Sequence, residues 1–169
     1  MTLPALTPAP IQDPLTDEAY RMLSERPGFL IRRLHQIHVA MFMEECAEFN
    51  ITPVQYSVLT ALVERPDLDQ AALGAQIGID RTTTAGVLAR LAERGLIQRR
   101  ASPVDKRMKL AAITAEGKKL LRRMDKKAQR AHDRTIAPLP KEERAVFLRH
   151  LLHLVDASNG YGRAPLHLP

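Results

Sequence analysis

The most constraining feature of the sequence is a pair of short segments with helix boundaries at both ends, separated by a tight turn. Asp69 and Asp80 each stand where a helix would begin, and a carboxylate there accepts hydrogen bonds from free backbone N–H groups. Gly78 and Gly95 stand where these helices would end, a position that favours glycine. Two capped helices joined through Gly78 and Ile79 predict a helix-turn-helix unit.

A β-hairpin is predicted directly after this unit. Residues 96–100 and 108–113 form its two strands, and residues 101–107 between them combine turn formers with charged side chains. A hairpin placed after the second helix of the pair is the arrangement of a winged helix. The predicted fold class is therefore mainly α with a small β-hairpin wing (α+β): a winged helix-turn-helix with N- and C-terminal dimerisation helices.

Long helices are predicted on both sides of the winged helix. The composition favours helices, since aromatic residues make up only 4% of the chain and Trp is absent. The first long helix, residues 27–49, is apolar on two sides, so it must touch two partners at once. The last helix is expected to turn five apolar side chains inward: Phe147, Leu148, Leu151, Leu152 and Val155. Because the small middle domain cannot bury these faces alone, we expect a homodimer.

These elements divide the chain into five parts. Residues 1–14, with four prolines, are predicted to form a flexible arm. N-terminal dimerisation helices follow over 15–50 and include a short helix from Thr16 that stops before Pro27. The winged-helix DNA-binding domain takes 51–114, the C-terminal dimerisation helices take 115–157, and a loose tail takes 158–169.

The positive charge is concentrated in one part of the chain. The net charge is +6, yet residues 99–134 contain thirteen Lys or Arg against four Asp or Glu, so the remainder is slightly acidic. A basic segment of this kind is typical of a surface that binds a polyanion such as DNA. For residues 118–134 the helical spacing of the charges equally fits a solvated helix face.

The second helix of the predicted pair must divide its faces between the core and DNA. Three threonines in a row are poor helix formers, and a glycine inside a helix costs about 1 kcal/mol relative to alanine. Both costs are explained if this face meets phosphates, thymine methyl groups and a groove wall. We predict that Thr84, Val87, Leu88 and Leu91 pack inward. The outward residues predicted to contact DNA are Arg81, Thr82, Thr83, Gly86 and Arg90.

The hairpin supplies a second set of candidate DNA contacts. Arg107 at its tip is expected to enter the minor groove, where the potential is most negative. Lys106 and Lys109 are expected to contact phosphates. Asp105 does not favour DNA by itself, so we assign it to holding an arginine, either Arg107 or one from the preceding helix. The alternative for this loop is a solvated charged turn.

With these motifs the chain resembles the MarR family of winged-helix transcriptional regulators over about residues 27–155. The most specific part is the stretch IGIDRTTTAGVLARLAERGLIQR, the wing pattern DKR at 105–107 and ITAEG at 113–117. Ile113 replaces the usual Leu, and Gly86 departs from the polar residue that is frequent there. The resemblance implies a homodimer on a pseudo-palindromic duplex. It also implies a cavity between the dimerisation helices and the DNA-binding domain that takes small aromatic acids or related effectors.

One row of the first long helix is the candidate lining of that cavity. Cationic and imidazole side chains in an apolar pocket suit a carboxylate or a thioester carbonyl. The candidate effector residues are Arg32, Arg33, His35, His38, Phe42 and Tyr56. The alternative is that these histidines belong to an interface and bond neighbouring carbonyls. Two further hypotheses are open for this helix. One is a metal site that joins the histidines to Glu44, Glu45 or Glu48. The other is a peroxide-sensing thiol at Cys46.

The expected function is a sequence-specific DNA-binding repressor that a small effector, such as an aromatic acid or its acyl-CoA thioester, releases from its operator. The alternatives are a redox- or metal-responsive regulator of the same fold, or a DNA-binding protein with no small effector. No catalytic motif is found, so neither an enzyme nor a cofactor is expected. A single cysteine and the lack of an apolar run of roughly 20 residues predict a cytoplasmic protein without a membrane partner.

Overall fold

The computed structural model describes residues 20–162 and residue 166. Within them the chain forms α1 (Pro27–Glu45), α2 (Pro53–Glu64), β1 (Leu68–Asp69), α3 (Gln70–Ile77), α4 (Arg81–Glu93), β2 (Ile97–Ala101), β3 (Lys109–Ile113), α5 (Ala115–Ile136) and α6 (Lys141–Ala157). Short 3-10 turns occupy Leu23–Glu25, Ala47–Phe49 and Asn159–Tyr161. The expected class, mainly helical with a small wing, is confirmed.

The helix boundaries of the helix-turn-helix lie where the sequence predicted them. The Asp69 carboxylate accepts hydrogen bonds from the first N–H groups of α3, and Asp80 does the same for α4. Gly78 and Gly95 have φ values of 69° and 68°, in the left-handed region that glycine occupies at low cost. Local capping chemistry therefore fixes both helices of the pair.

The core of the molecule lies inside the winged helix. Helices α2, α3 and α4 contribute Leu59, Leu73 and Leu88, each at most 1% exposed. The inward face predicted for α4 is confirmed, because Thr84, Val87, Leu88 and Leu91 are all buried. Burial of each such side chain stabilises the fold by about 1.5–3 kcal/mol.

The sheet has one strand more than the predicted hairpin. β2 and β3 pair antiparallel from Ile97 opposite Ile113 to Ala101 opposite Lys109, close to the predicted strands. The additional strand, β1, pairs with the other edge of β3. Its two residues are too few to produce an alternating pattern, so only the tertiary fold reveals it.

The N-terminal part differs from the prediction in one place and lies partly outside the described residues. The first long helix ends at Glu45 instead of Phe49, because the chain tightens into a 3-10 turn and then turns left-handed at Asn50, where φ is 50°. The arm over 1–14 and the start of the short helix at Thr16 lie outside the described residues. The described end of that helix is only the 3-10 turn Leu23–Glu25.

The C-terminal part also differs from the prediction. The five apolar side chains of α6 were expected to point inward, yet α6 contains no buried residue in the single chain. Leu148 and Leu152 are 50% and 55% exposed, because no element among the described residues covers this face. The tail expected to be loose begins with an ordered turn, and the Asn159 amide exchanges two hydrogen bonds with the backbone of Leu166. No helix in the described ranges combines the length and apolarity that a membrane crossing requires.

Candidate nucleic-acid interface and effector site

Helix α4, which we call the recognition helix, is held tightly against α3. The Thr84 hydroxyl donates a 2.8 Å hydrogen bond to the Asp80 carbonyl. A Cβ atom on Gly74 would lie 2.9 Å from the Ile79 carbonyl oxygen and 3.0 Å from Thr84 Oγ1, so only glycine permits this approach. The role of Gly74 was not predicted from the sequence, although a glycine inside a short predicted helix is a signal of close packing.

The outward face of the recognition helix carries the predicted DNA contacts. Arg81, Thr82, Thr83 and Arg90 are exposed, and a Cβ atom on Gly86 would meet open space. The Thr83 hydroxyl donates a 2.6 Å hydrogen bond to the Asp80 carboxylate. This bond and the Thr83 N–H hold the pKa of Asp80 below its usual range, which keeps the cap ionised.

The wing tip is a turn organised by Asp105. Its carboxylate accepts a 2.9 Å hydrogen bond from the backbone N–H of Arg107, and its carbonyl accepts one from the N–H of Met108. Asp105 therefore holds Arg107, one of the arginines considered, through its backbone N–H, and among the described residues the Asp105 carboxylate forms no ion pair with an arginine. A short Asp side chain reaches the amide two residues further on, which makes it a common first residue of turns.

Further hydrogen bonds support the base of the wing. The buried Ser102 donates its N–H to the Met108 carbonyl, and its hydroxyl accepts from the Val104 N–H. Arg100 of β2 forms an ion pair with Asp67, a contact that the sequence did not indicate. The wing thus presents exposed Lys106, Arg107 and Lys109 on a rigid support, and across residues 20–162 none of the three forms an ion pair.

Three of the predicted effector residues form a chain of rings between α1 and α2. The ring centroids of His38 and Phe42 are 6.5 Å apart, and those of Phe42 and Tyr56 are 5.5 Å apart. Helix α5 completes the cluster, because His132 stacks on His38 at 5.2 Å and the Thr135 hydroxyl lies 2.8 Å from His38 Nδ1. Neither α5 residue was among the predicted set.

The other three predicted effector residues lie outside this chain of rings. Arg32, Arg33 and His35 are exposed on α1. The guanidinium of Arg32 lies over the ring of Phe29, 5.4 Å from its centroid. His35 acts on the ring chain through charge, since burial and the neighbouring His132 and His35 together lower the pKa of His38.

Tyr56 also borders a cleft of about 490 Å³ between α2 and α5. We call this the α2–α5 cleft. Burial raises the pKa of Tyr56, so its hydroxyl stays protonated and able to donate a hydrogen bond. The remaining lining residues, none of which was predicted to bind the effector, are Thr60, Val63, Glu64, Lys118, Leu121, Arg122 and Asp125.

The environment of Cys46 does not favour a reactive thiolate. The side chain is 1% exposed, and burial followed by the nearby Glu45 raises the pKa of the thiol.

The carboxylates considered for a metal site form ion pairs between α1 and α5. Glu44 pairs with Arg134, Glu45 with both Arg130 and Arg134, and Glu48 with Lys127. Among the described residues no group of three His, Cys, Asp or Glu side chains is arranged to hold a metal ion.

Comparison with known proteins places this geometry in a family. Residues 51–109 match the model of the MarR family. The chain is 29% identical to the HTH-type transcriptional repressor NicR of Pseudomonas putida. The 153 aligned residues cover 90% of this chain and 96% of NicR.

Two solved structures are similar over most of the chain. The PcaV transcriptional regulator from Streptomyces coelicolor, in complex with its natural ligand, is 38% identical with a TM-score of 0.76, covering 83% of this chain and 99% of PcaV. Bordetella bronchiseptica BpsR, whose DNA binding is regulated by 6-hydroxynicotinic acid, is 30% identical with a TM-score of 0.76, covering 80% of this chain and 96% of BpsR. The chain therefore belongs to the MarR family of winged-helix transcriptional regulators, which are DNA-binding proteins and not enzymes.

Proposed function

We propose that this protein is a repressor that binds a pseudo-palindromic duplex as a homodimer and leaves it when a small effector, an aromatic acid or its acyl-CoA thioester, occupies the α2–α5 cleft. The observation that carries the proposal is the recognition helix itself. Its apolar face is buried in the winged helix, while its polar face is exposed beside a wing on which Lys106, Arg107 and Lys109 form no ion pair with any described residue.

The two surfaces suit different parts of a DNA duplex. An α-helix fits the major groove, where Arg81 and Arg90 can bond guanine edges or phosphates. Thr82 and Thr83 offer methyl groups to thymine, and the bare backbone at Gly86 allows close approach. The wing brings Arg107 to the minor groove, with Lys106 and Lys109 on the flanking phosphates. A regulator of this kind acts on the chromosome, so we place it in the cytoplasm.

The dimer is supported by apolar residues that the single chain leaves exposed. Leu30 and Ile31 near the start of α1 are 46% and 57% exposed, and α6 adds Leu148 and Leu152. Contiguous apolar patches of this kind mark protein contacts. A second copy with the same two helices covers them, and a two-fold dimer would place the recognition helices about 34 Å apart, one turn of DNA.

The effector site is supported by the chemistry of the α2–α5 cleft. Val63 and Leu121 provide apolar walls, and the Tyr56 hydroxyl provides a donor. Lys118 and Arg122 provide cations for a ligand carboxylate or phosphate, beside two carboxylates that also line the cleft. This set complements a planar acid or the phosphates of a thioester. Two relatives agree with a repressor that responds to an aromatic acid. NicR is described as a transcriptional repressor, and 6-hydroxynicotinic acid regulates the DNA binding of BpsR.

The experiment that tests the proposal has two steps. Bound duplexes are first selected from random DNA, and the affinity for the selected duplex is then measured by fluorescence anisotropy with a panel of aromatic acids and acyl-CoA thioesters. An effector should weaken binding by about 5–150-fold, the usual range of allosteric coupling. If no compound changes the affinity, the protein is a DNA-binding protein without a small effector.

A pair of variants tests the cleft itself. The double change Lys118→Ala with Arg122→Ala removes both cations from the cleft and should abolish the effector response. The control is Lys119→Ala with Lys126→Ala, which removes the same charge from exposed positions of α5 outside the cleft. Equal responses in the two double variants would exclude the cleft as the effector site.

A further inference from the structure

Arg94, directly after the recognition helix, joins that helix to the turn that follows α1. One guanidinium nitrogen donates a 2.5 Å hydrogen bond to the Asn50 carbonyl, and the other donates a 2.9 Å bond to the Phe49 carbonyl. Within residues 20–162 these are the only side-chain hydrogen bonds from 81–94 to α1 or to the turn that follows it. Among the described residues, the Arg94 side chain is therefore the one polar side-chain connection between residues 81–94 and α1 with its following turn.

The accepting carbonyls belong to a turn that is fixed to α5. We call residues 46–50 the junction. The buried Phe49 ring of the junction lies under two α5 cations, with Arg123 at 5.4 Å and Lys127 at 5.7 Å from its centroid. Lys127 also pairs with Glu48 at 2.9 Å. The junction is thus held to α5 on one side and to Arg94 on the other.

The same stretch of α5 lines the α2–α5 cleft. Leu121, Arg122 and Asp125 border the cleft, while Arg123 and Lys127 lie among or beside them in the sequence and contact the junction. A displacement of α5 at the cleft must therefore move the groups that hold Phe49. Because packed helices move as rigid elements, such a shift reaches the two carbonyls that Arg94 holds.

We infer that Arg94 is a positioning residue, which transmits occupation of the α2–α5 cleft through α5 and the junction to the recognition helix. This inference rests on the proposed function of the cleft. Arg94 need not touch DNA or effector. Its planar fork aims two donors at two adjacent carbonyls in a fixed geometry, whereas the three donors of a lysine rotate on one flexible ammonium group. The arginine connection is therefore stiffer than a lysine connection of the same charge.

The test uses a tethered occupant, so that it does not depend on finding the natural effector. Val63 lines the cleft and is 50% exposed, so Val63→Cys can be labelled with N-(4-carboxyphenyl)maleimide, an aromatic acid. Cys46 is buried with a raised pKa and should stay unlabelled, which intact mass confirms by a single adduct. Ser57→Cys, exposed on the same helix but outside the cleft, carries the control label.

The label is then combined with changes at Arg94. With Arg94 present, the label at position 63 should weaken binding to the selected duplex about tenfold, within the usual range of coupling. With Arg94→Ala the labelled and unlabelled proteins should agree within about twofold, while the salt dependence of binding stays unchanged because Arg94 neutralises no phosphate. Arg94→Lys should also lose most of the coupling, and it provides the measurement if the alanine variant does not fold.

The outcomes separate the inference from the proposed function. Arg65→Ala removes an exposed arginine that does not line the α2–α5 cleft, and it should leave the coupling intact. A label that acts equally with and without Arg94 overturns the inference and leaves the cleft as the regulatory site. Loss of coupling in Arg65→Ala as well would overturn it by showing a general charge effect. A label without effect when Arg94 is present overturns both, since there would be nothing to transmit.

Discussion

The winged helix and the outer helices obtain their stability in different ways. In the winged helix, Leu59, Leu73 and Leu88 are almost completely buried by neighbours from the same chain. In α6, Leu148 and Leu152 stay half exposed, and no residue of that helix is buried. The first region closes its own core, whereas the second leaves an apolar face for another molecule. Four predictions test this difference, in order of expected effect.

The largest effect is expected from charges on the exposed face of α6. The double change Leu148→Glu with Leu152→Glu costs the single chain little, but in a dimer it would bury unpaired charges at several kcal/mol each. We expect a monomer by sedimentation velocity and a loss of operator affinity of at least about a hundredfold. The contrasting variant is Leu91→Ala in the winged-helix core, which should lower the free energy of unfolding by about 2–5 kcal/mol at every protein concentration. A double variant that still sediments as a dimer would contradict the comparison.

The second effect concerns the wing, whose contribution lies in DNA binding and not in folding. Arg107→Ala should weaken operator binding by about 1–3 kcal/mol and leave the free energy of unfolding unchanged. The matched control is Arg149→Ala on α6, which removes the same charge far along the chain from the wing. Anisotropy titrations at several salt concentrations measure both variants. If Arg107→Ala binds as tightly as the unaltered protein, the wing does not contact DNA.

The third effect shows whether Asp105 acts as the hydrogen-bond acceptor that holds the turn of the wing or through its negative charge. Asp105→Ala removes the acceptor for the Arg107 N–H and should weaken operator binding by about 0.5–1.5 kcal/mol, the value of one such hydrogen bond. Asp105→Asn retains a side-chain carbonyl and should bind nearly as well as the unaltered protein. Equal losses in both variants, again by anisotropy, would mean that the charge of Asp105 matters and that the turn does not.

The smallest effect is a pH dependence of the free energy of unfolding, which arises from His38 where α1 packs against α5. Burial and the neighbouring His132 and His35 lower the pKa of His38 below its unfolded value of 6.5. The unfolded chain then binds the proton more readily, so the free energy of unfolding should fall as the pH drops through that value. His38→Gln should flatten this decline in denaturant titrations from about pH 8 to about pH 5. His150→Gln, an exposed histidine on α6, is the control, and an unchanged decline in His38→Gln would contradict the prediction.

Much of the DNA-binding unit could be predicted from the sequence because its signals are local. The carboxylate caps at Asp69 and Asp80 and the left-handed glycines act within a few residues, so they are visible in the chain itself. The burial of Thr84, Val87, Leu88 and Leu91 followed from helical spacing alone. The strand β1 was missed because its only signal is its pairing with β3.

The candidate effector site was predicted less completely, because its parts come from different helices. The prediction concentrated on one row of α1, and the structure brings only His38 and Phe42 of that row to Tyr56. The partners from α5, such as His132 and Lys118, stand more than sixty residues away in the chain. No local pattern links residues so far apart, so only the packing of α5 reveals them.

The sequence by itself determined where the helices of the winged helix begin and end, which face of the recognition helix is apolar, and where the basic charge is concentrated. Only the tertiary structure decided that β1 joins the sheet, that α2 and α5 enclose a cleft, and that Arg94 joins the recognition helix to the turn after α1. The physical reason is one of range. Caps, turns and helical periodicity depend on neighbours within about one or two turns of helix, whereas clefts and connections depend on how distant elements pack.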